Sequence, residues 1–364
     1  MFSMAMLKDV KILDLTRLLP GPYCTWILSK LGADVIKVEN PNMGDYSRGS
    51  PLYELINVGK KSLTLNLKKN SGKKILLDLV SQSDVLVEGF RPGVIDKLGL
   101  GYDVLKEHNK RIIVCSISGY GQTGPYRDIA GHDINYISIS GLLGINRTSE
   151  SPMLPALQIG DLGGGVFGAL SILANLYRRE IDGEGEYIDV SMTDVVGSLF
   201  NIAYHGLLAE TFSSGLLPCC NIYKTKDEKF VSIGAIEAKF WNNFCISIGR
   251  DDLIKAQYDS SAMEEIKRIF SEKTREEWIK MFKEVDATLT PVYSPEEVFS
   301  DPQVMSRKVF DQGKKLLNFP VKFLRISTKD DRKAPNLGEN TSEILKGLGY
   351  GEDEIKNLRI EKVV

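Results

Sequence analysis

Histidine and cysteine are scarce in this sequence, and neither sign of charge is in excess. It contains three histidines and five cysteines in 364 residues. The cysteines (Cys24, Cys115, Cys219, Cys220 and Cys245) have no Cys-x-x-Cys spacing, which argues against a structural zinc site or a disulfide scaffold and for free thiols. Lys and Arg total 46 against 48 Asp and Glu, so the net charge is −2 and the basic excess of a nucleic-acid binder is missing. The longest mainly apolar run, residues 166–177, is shorter than the roughly 20 residues that span a bilayer. The N-terminal MFSMAMLKDVKILDL has no basic start, long apolar stretch and small-residue cleavage site in series. A cytoplasmic protein is expected, with no metal, no nucleic-acid partner and no membrane contact.

Apolar residues make up 43% and charged residues 26%, enough for a sizeable core in one large or two ordinary domains. The first half alternates short β-branched runs at 10–15, 35–38, 85–87 and 112–115 with helical patterns at 23–31, 72–80 and 94–99. That alternation predicts βαβ units and a parallel sheet, which binds ligands beyond the carboxyl ends of its strands. The first strand runs into Leu18-Leu19-Pro20-Gly21-Pro22 rather than Gly-x-Gly-x-x-Gly, which excludes the usual dinucleotide fingerprint. Further on, Gly163-Gly164-Gly165 opens a helical pattern reaching about residue 179. A strand is expected at 187–190 and a helix from 193 to about 209. A Gly, Ser and Pro cluster at 213–218 is the best domain boundary. A strand at 230–233, a charged helical stretch at 262–285 and a short helix from about Thr341 follow.

Chemistry needs particular side chains, and few are on offer. His108 stands in a polar turn and reads as solvated, while His205 lies among apolar neighbours and reads as a core histidine. His132 stands in Gly131-His132-Asp133, a loop leading into an apolar helix pattern, where catalytic and bland readings weigh about equally. Asp161, in Gly160-Asp161-Leu162-Gly163, reads either as a helix N-cap or as a carboxylate beside free amides, with glycines that let a substrate approach the backbone. Glu237 follows the 230–233 strand and by itself reads as a solvated strand end.

Several motifs occur in order: Leu19-Pro20-Gly21-Pro22, Leu31-Gly32-Ala33-Asp34, Lys60-Lys61-Ser62-Leu63-Thr64-Leu65-Asn66-Leu67, Asp84-Val85-Leu86-Val87-Glu88-Gly89-Phe90-Arg91-Pro92-Gly93 and Gly119-Tyr120-Gly121-Gln122-Thr123-Gly124-Pro125. The His132 and Asp161 loops and Ala334-Pro335-Asn336-Leu337-Gly338 complete the series. Over essentially its full length the chain resembles the superfamily of family III CoA-transferases and 2-methylacyl-CoA racemases. The resemblance implies an α/β fold, with a Rossmann-like large domain, a smaller α+β second domain and two chains interlocked as a dimer. It implies a large CoA-binding domain over 1–190, a helical linker over 191–217, a small domain over 218–315 and a return segment over 316–364. Carried over position by position, the CoA contacts are Leu65, Asn66, Leu67, Lys68, Gly89, Phe90, Arg91, Lys97, Ala130, Gly131, Asp133, Ile134 and Asn135, with His132 among them. Asn40 and Asn340 depart from the superfamily, where an arginine and a histidine are common.

The His132-Asp133 pairing, Asp161 and Glu237 together match the racemase pattern, since the transferases need one carboxylate nucleophile and no histidine at 132. The resemblance implies an isomerase that inverts the α-carbon of 2-methylacyl-CoA thioesters through an enolate, in fatty acid and other lipid metabolism. His132 and Asp161 would be the two acid/base groups and Glu237 the orienter of the imidazole, with an oxyanion held by the amides of Asp161, Leu162 and Gly163. The alternative is a CoA-transferase working through an aspartyl intermediate at Asp161. Neither needs a cofactor beyond the CoA portion of the substrate.

Overall fold

A computed structural model of the chain describes residues 5–146, 151–205, 215, 217–310, 318–328 and 332–364. They form two compact units, the first of residues 1–200 and 313–364, the second of residues 201–312.

The first unit is built on six parallel strands: β1 (Lys11–Leu15), β2 (Asp34–Glu39), β3 (Lys61–Thr64), β4 (Val85–Glu88), β5 (Ile113–Ser118) and β6 (Tyr187–Ser191). Their order, β3-β2-β1-β4-β5-β6, is that of a doubly wound sheet, as the alternation in sequence predicts. Side chains alternate across it. Leu13, Leu15, Leu86 and Val114 join a core with the helices Asn70–Val80, Tyr102–His108 and Thr341–Gly347. Ile12, Val85, Val87, Ile113 and Cys115 face the helices Pro20–Lys30 and Ile159–Asp182 on the other side.

The strand β3 is not apparent from apolar patterning. Its sequence Lys-Ser-Leu-Thr has one apolar residue, yet Ser62 and Thr64 are buried because the C-terminal segment supplies their partners. Asn340 Oδ1 accepts the Ser62 amide at 3.0 Å and Thr341 Oγ1 accepts the Thr64 amide at 3.1 Å. This also places Asn340, one of the two departures from the superfamily, in a structural role.

The long helix starts at Ile159, four residues before the three glycines, and ends at Gly183, whose φ of 79° stops it. It has 24 residues and a mean hydropathy of 1.4 over its most apolar stretch, so by length and composition it is able to cross a bilayer, which the run at 166–177 understates. Here it packs along the helix Pro20–Lys30 and the strands β5 and β6.

The second unit carries the antiparallel strands β7 (Cys220–Lys224), β8 (Phe230–Gly234) and β9 (Leu289–Val292) in that order. With its helices it is an α+β unit around Trp241, Phe244, Phe270 and Trp278. The charged stretch expected as one helix is two, Met263–Phe270 and Arg275–Met281, because Thr274 and Glu277 form a capping box that starts the second. His205 is exposed at the end of the helix Met192–His205, with its ring against Tyr204, and is not a core residue. Residues 206–209, expected to continue that helix, lie outside the described ones, as do 213, 214 and 216 of the Gly, Ser and Pro cluster.

Candidate active site

In a doubly wound sheet the crevice opens where neighbouring strands send their connections to opposite faces, here between β1 and β4. Two cavities of the first unit open there. One, of about 470 Å³, is walled by Thr16, Arg17 and Leu18 after β1, Gly89 to Pro92 after β4 and the end of β5, and it includes His132 and Asp161. The other, of about 340 Å³, is walled by Asn40 and Gly44 after β2 and by Leu65, Asn66, Leu67 and Lys68 after β3. Arg17 and Phe90 line both.

The shared edge is clamped from below. Leu18 has φ of 66°, a conformation costly for a residue with a side chain. Its amide donates to Asp45 Oδ1 at 3.1 Å, and Lys37 Nζ pairs with Asp45 Oδ2 at 2.8 Å while donating to the Thr16 carbonyl at 3.0 Å. The turn after β4 is held by Glu88, which accepts the Phe90 amide at 2.7 Å and the Ser116 hydroxyl. Burial pushes the Glu88 carboxyl up to about 7.

His132 is the exposed residue that caps the helix Asp133–Ile139. Asn135 fixes its backbone, taking the His132 amide on Oδ1 at 3.0 Å and donating its own amide to the His132 carbonyl at 2.8 Å. Asp161 is the third residue of the long helix, whose N-cap is Gln158, so the N-cap reading of Asp161 does not hold. Burial, with the Asp133 carboxylate beside it, pushes the Asp161 carboxyl up to about 7. Tyr136 rises from the same helix as Asp133, and its buried hydroxyl donates to the Gly131 carbonyl at 2.5 Å. Burial pushes that hydroxyl well above the usual tyrosine range.

Two expectations for the helix start are corrected. The amides there are not free: those of Gly160 and Asp161 donate to Asp133 Oδ1, at 2.6 and 3.1 Å, and that of Leu162 donates to the Gln158 carbonyl at 3.0 Å. Of the amides expected to hold an oxyanion, those of Asp161 and Leu162 are therefore already spent. Nor do the three glycines serve substrate approach. A Cβ on Gly164 would lie 2.7 Å from Met192 Cγ, one on Gly163 2.9 Å from Val195 Cγ1, and one on Gly165 2.7 Å from the Pro20 carbonyl oxygen, so they let helices pack closely.

Of the expected CoA contacts, Gly89, Arg91, Ala130, Gly131 and Asn135 line the first cavity, Leu65 to Lys68 the second, and Phe90 both. Lys97, Asp133 and Ile134 line neither. Lys97 and Ile134 are exposed elsewhere, and the Asp133 carboxylate is turned inward onto the long helix. Glu237 is the exposed N-cap of the helix Ala238–Ser247 in the second unit and is not part of either lining. Arg17 and Arg127, which sequence reasoning passed over, also line the first cavity. The position of Arg17 just past β1 was the available signal. Among the described residues no cluster of three or more His, Cys, Asp or Glu is arranged to hold a metal ion.

The sequence pattern of CoA-transferase family III matches residues 7–341. The chain is 33% identical to human alpha-methylacyl-CoA racemase over 384 aligned residues, covering 98% of this chain and 97% of that protein. It is also 33% identical to human succinyl-CoA:glutarate CoA-transferase, over 98% of this chain and 90% of that one. The crystal structure of a CaiB/BaiF family protein from Brucella suis is similar with a TM-score of 0.83 at 25% identity, over 94% of this chain and 99% of that one.

Proposed function

This chain belongs to CoA-transferase family III, and from that premise we propose that it is an acyl-CoA racemase, inverting the α-carbon of 2-methylacyl-CoA thioesters by proton transfer. One observation carries the reading: His132 and Asp161 line the same cavity, where burial and the neighbouring Asp133 push the carboxyl of Asp161 up to about 7. Inversion needs one group to take the α-proton while another delivers one to the opposite face. A carboxyl at its ordinary value would be almost wholly ionised at neutral pH and a poor donor, whereas one near 7 serves in either role.

CoA lies, in this proposal, along the two cavities that share Arg17 and Phe90, with Arg91, Arg17 and Lys68 available to its phosphates. The thioester then enters the cavity of His132 and Asp161. Removal of the α-proton gives an enolate, and the second group reprotonates it. Glu237 is proposed to orient the imidazole from a second copy of the chain. A homodimer is supported by the exposed apolar side of the long helix, where Val166, Leu170, Tyr177 and Ile181 fall on one stripe. No cofactor is needed beyond the CoA portion of the substrate, and a branched acyl chain of lipid metabolism is the proposed substrate class.

The transferase relative of equal identity favours a second reading, in which the Asp161 carboxylate attacks the thioester and carries the acyl group and then CoA. The two readings part on chirality. Incubated separately with the R and S forms of 2-methylacyl-CoA, the protein is expected to bring each to an equal mixture, read by chiral analysis of the hydrolysed acid. Enantiomers recovered unchanged would contradict the racemase.

A further inference from the structure

The residue after His132 and the residue before Asp161 are joined by one side chain. Asp133 opens the helix Asp133–Ile139, is buried, and its Oδ1 accepts the amides of Gly160 at 2.6 Å and Asp161 at 3.1 Å. The approach is close enough that a Cβ on Gly160 would lie 3.0 Å from that oxygen. Amides at a helix start have no partner within the helix, so a buried carboxylate there satisfies two donors and faces the positive end of the dipole of a 24-residue helix. One turn further on, Tyr136 ties the same short helix back to the Gly131 carbonyl. The His132 peptide and the Asp161 peptide are thus held in one junction, on elements separated by 27 or 28 positions in sequence.

We propose that Asp133 is a positioning residue, whose carboxylate fixes His132 and Asp161 relative to each other and keeps a negative charge beside the Asp161 carboxyl. This rests on the acid/base reading of those two residues. Other titratable and charged side chains share the cavity wall with Asp161: His132 and Tyr136 from the short helix, Tyr120 and Arg127 from the loop after β5, and Arg91 and Arg17 from the turns after β4 and β1. The helix Met192–His205 presents the apolar Met192 and Val195 to the glycines that follow Asp161, and the helix Pro20–Lys30 presents Tyr23. Of all these groups, Asp133 alone is bonded to the Asp161 peptide among the described residues.

Two variants separate position from charge. Asp133→Asn keeps an acceptor for the two amides and removes the charge, while Asp133→Ala removes both. The readouts are the pH profile of α-proton exchange in deuterated buffer and the titration of the Asp161 carboxyl by carbon-13 NMR, assigned by its loss in Asp161→Asn. In Asp133→Asn the Asp161 titration and the whole rate profile are expected to move to lower pH by at least half a unit, with KM within threefold. In Asp133→Ala kcat is expected to fall about a hundredfold with KM again within threefold. Should Asp133→Ala fail to fold, the Asn variant carries the test. An Asp161 titration that superimposes on the parent in Asp133→Asn would overturn the proposal. The NMR titration does not depend on turnover, so a parent protein without exchange would sink the racemase reading and leave this test standing.

Discussion

Lys60 Nζ stands 3.1 Å from Asp14 Oδ2, with both side chains wholly buried beneath the turn that forms the shared edge of the two cavities. The same ammonium group donates to Asn57 Oδ1, Thr25 Oγ1 and the Pro22 carbonyl, while Asp14 Oδ1 accepts the Thr16 amide at 3.0 Å. Burial disfavours the Asp14 charge, yet Lys60, Lys37 and the hydroxyls of Thr16 and Thr25 hold its carboxyl well below the usual range. Removing one partner of such a pair leaves an uncompensated buried charge. Asp14→Ala is therefore expected to cost about 3–5 kcal/mol in urea unfolding. A loss under 1 kcal/mol would show that the pair is not part of the native core.

The proton inventory sets the pH dependence of the reaction. Both directions of a racemase need the His132–Asp161 pair to hold one proton, so kcat/KM is expected to be bell-shaped and the same for both enantiomers. One limb is expected near pH 7, because burial and Asp133 push Asp161 there. Initial rates between pH 5 and 9 measure it, and a flat profile across roughly pH 6 to 8 would contradict the assignment.

The raised carboxyl also affects stability, with a definite sign. Its folded value of about 7 lies above the ordinary 3.8, so the native chain takes up a proton in that window which the unfolded chain does not. Stability contributed by the protonated form is present below pH 4 and is lost as pH rises toward 7, by about 1.4 kcal/mol per unit. Asp161→Asn is expected to be more stable than the parent by about 2–4 kcal/mol at pH 8, and equal to it below pH 4. Equal stability at both pH values would mean that the carboxyl is not held up by its surroundings.

Arg91 and Arg17 line the cavities without contributing to the acid/base pair. A charge-assisted contact to phosphate is worth about 1.5–3 kcal/mol, so Arg91→Ala is expected to raise the KM for a CoA ester about 10- to 100-fold with kcat little changed. The parent KM should also rise with salt. A kcat effect with KM unmoved would place Arg91 at the reacting atoms instead.

Sequence patterning revealed what local chemistry encodes. β1, β2, β4 and β5 stand out as β-branched runs because they are buried on both faces, and His132 and Asp161 stand out through the ordered motifs around them. What stayed hidden depends on distant partners. β3 is polar, and the amides of Ser62 and Thr64 find their acceptors on Asn340 and Thr341, far along the chain, so its four residues carry no apolar signature of a strand. The family resemblance makes Asp133 a ligand contact, and only the fold shows its carboxylate spent on Gly160 and Asp161. The glycines at 163–165 suggest an open backbone, but their neighbours are other helices. Leu18 carries no sign of its positive φ, which the buried Asp45 sustains from across the turn.

The central claim, that His132 and Asp161 move an α-proton, is tested most directly by following a 2-methylacyl-CoA in deuterated buffer by NMR, with and without an added carboxylic acid. Deuterium at the α-carbon with no acid present, abolished in His132→Ala while binding of the CoA ester persists, is the expected result. A new CoA ester formed from the added acid, with the α-proton retained, would contradict it and make Asp161 the nucleophile of a transferase.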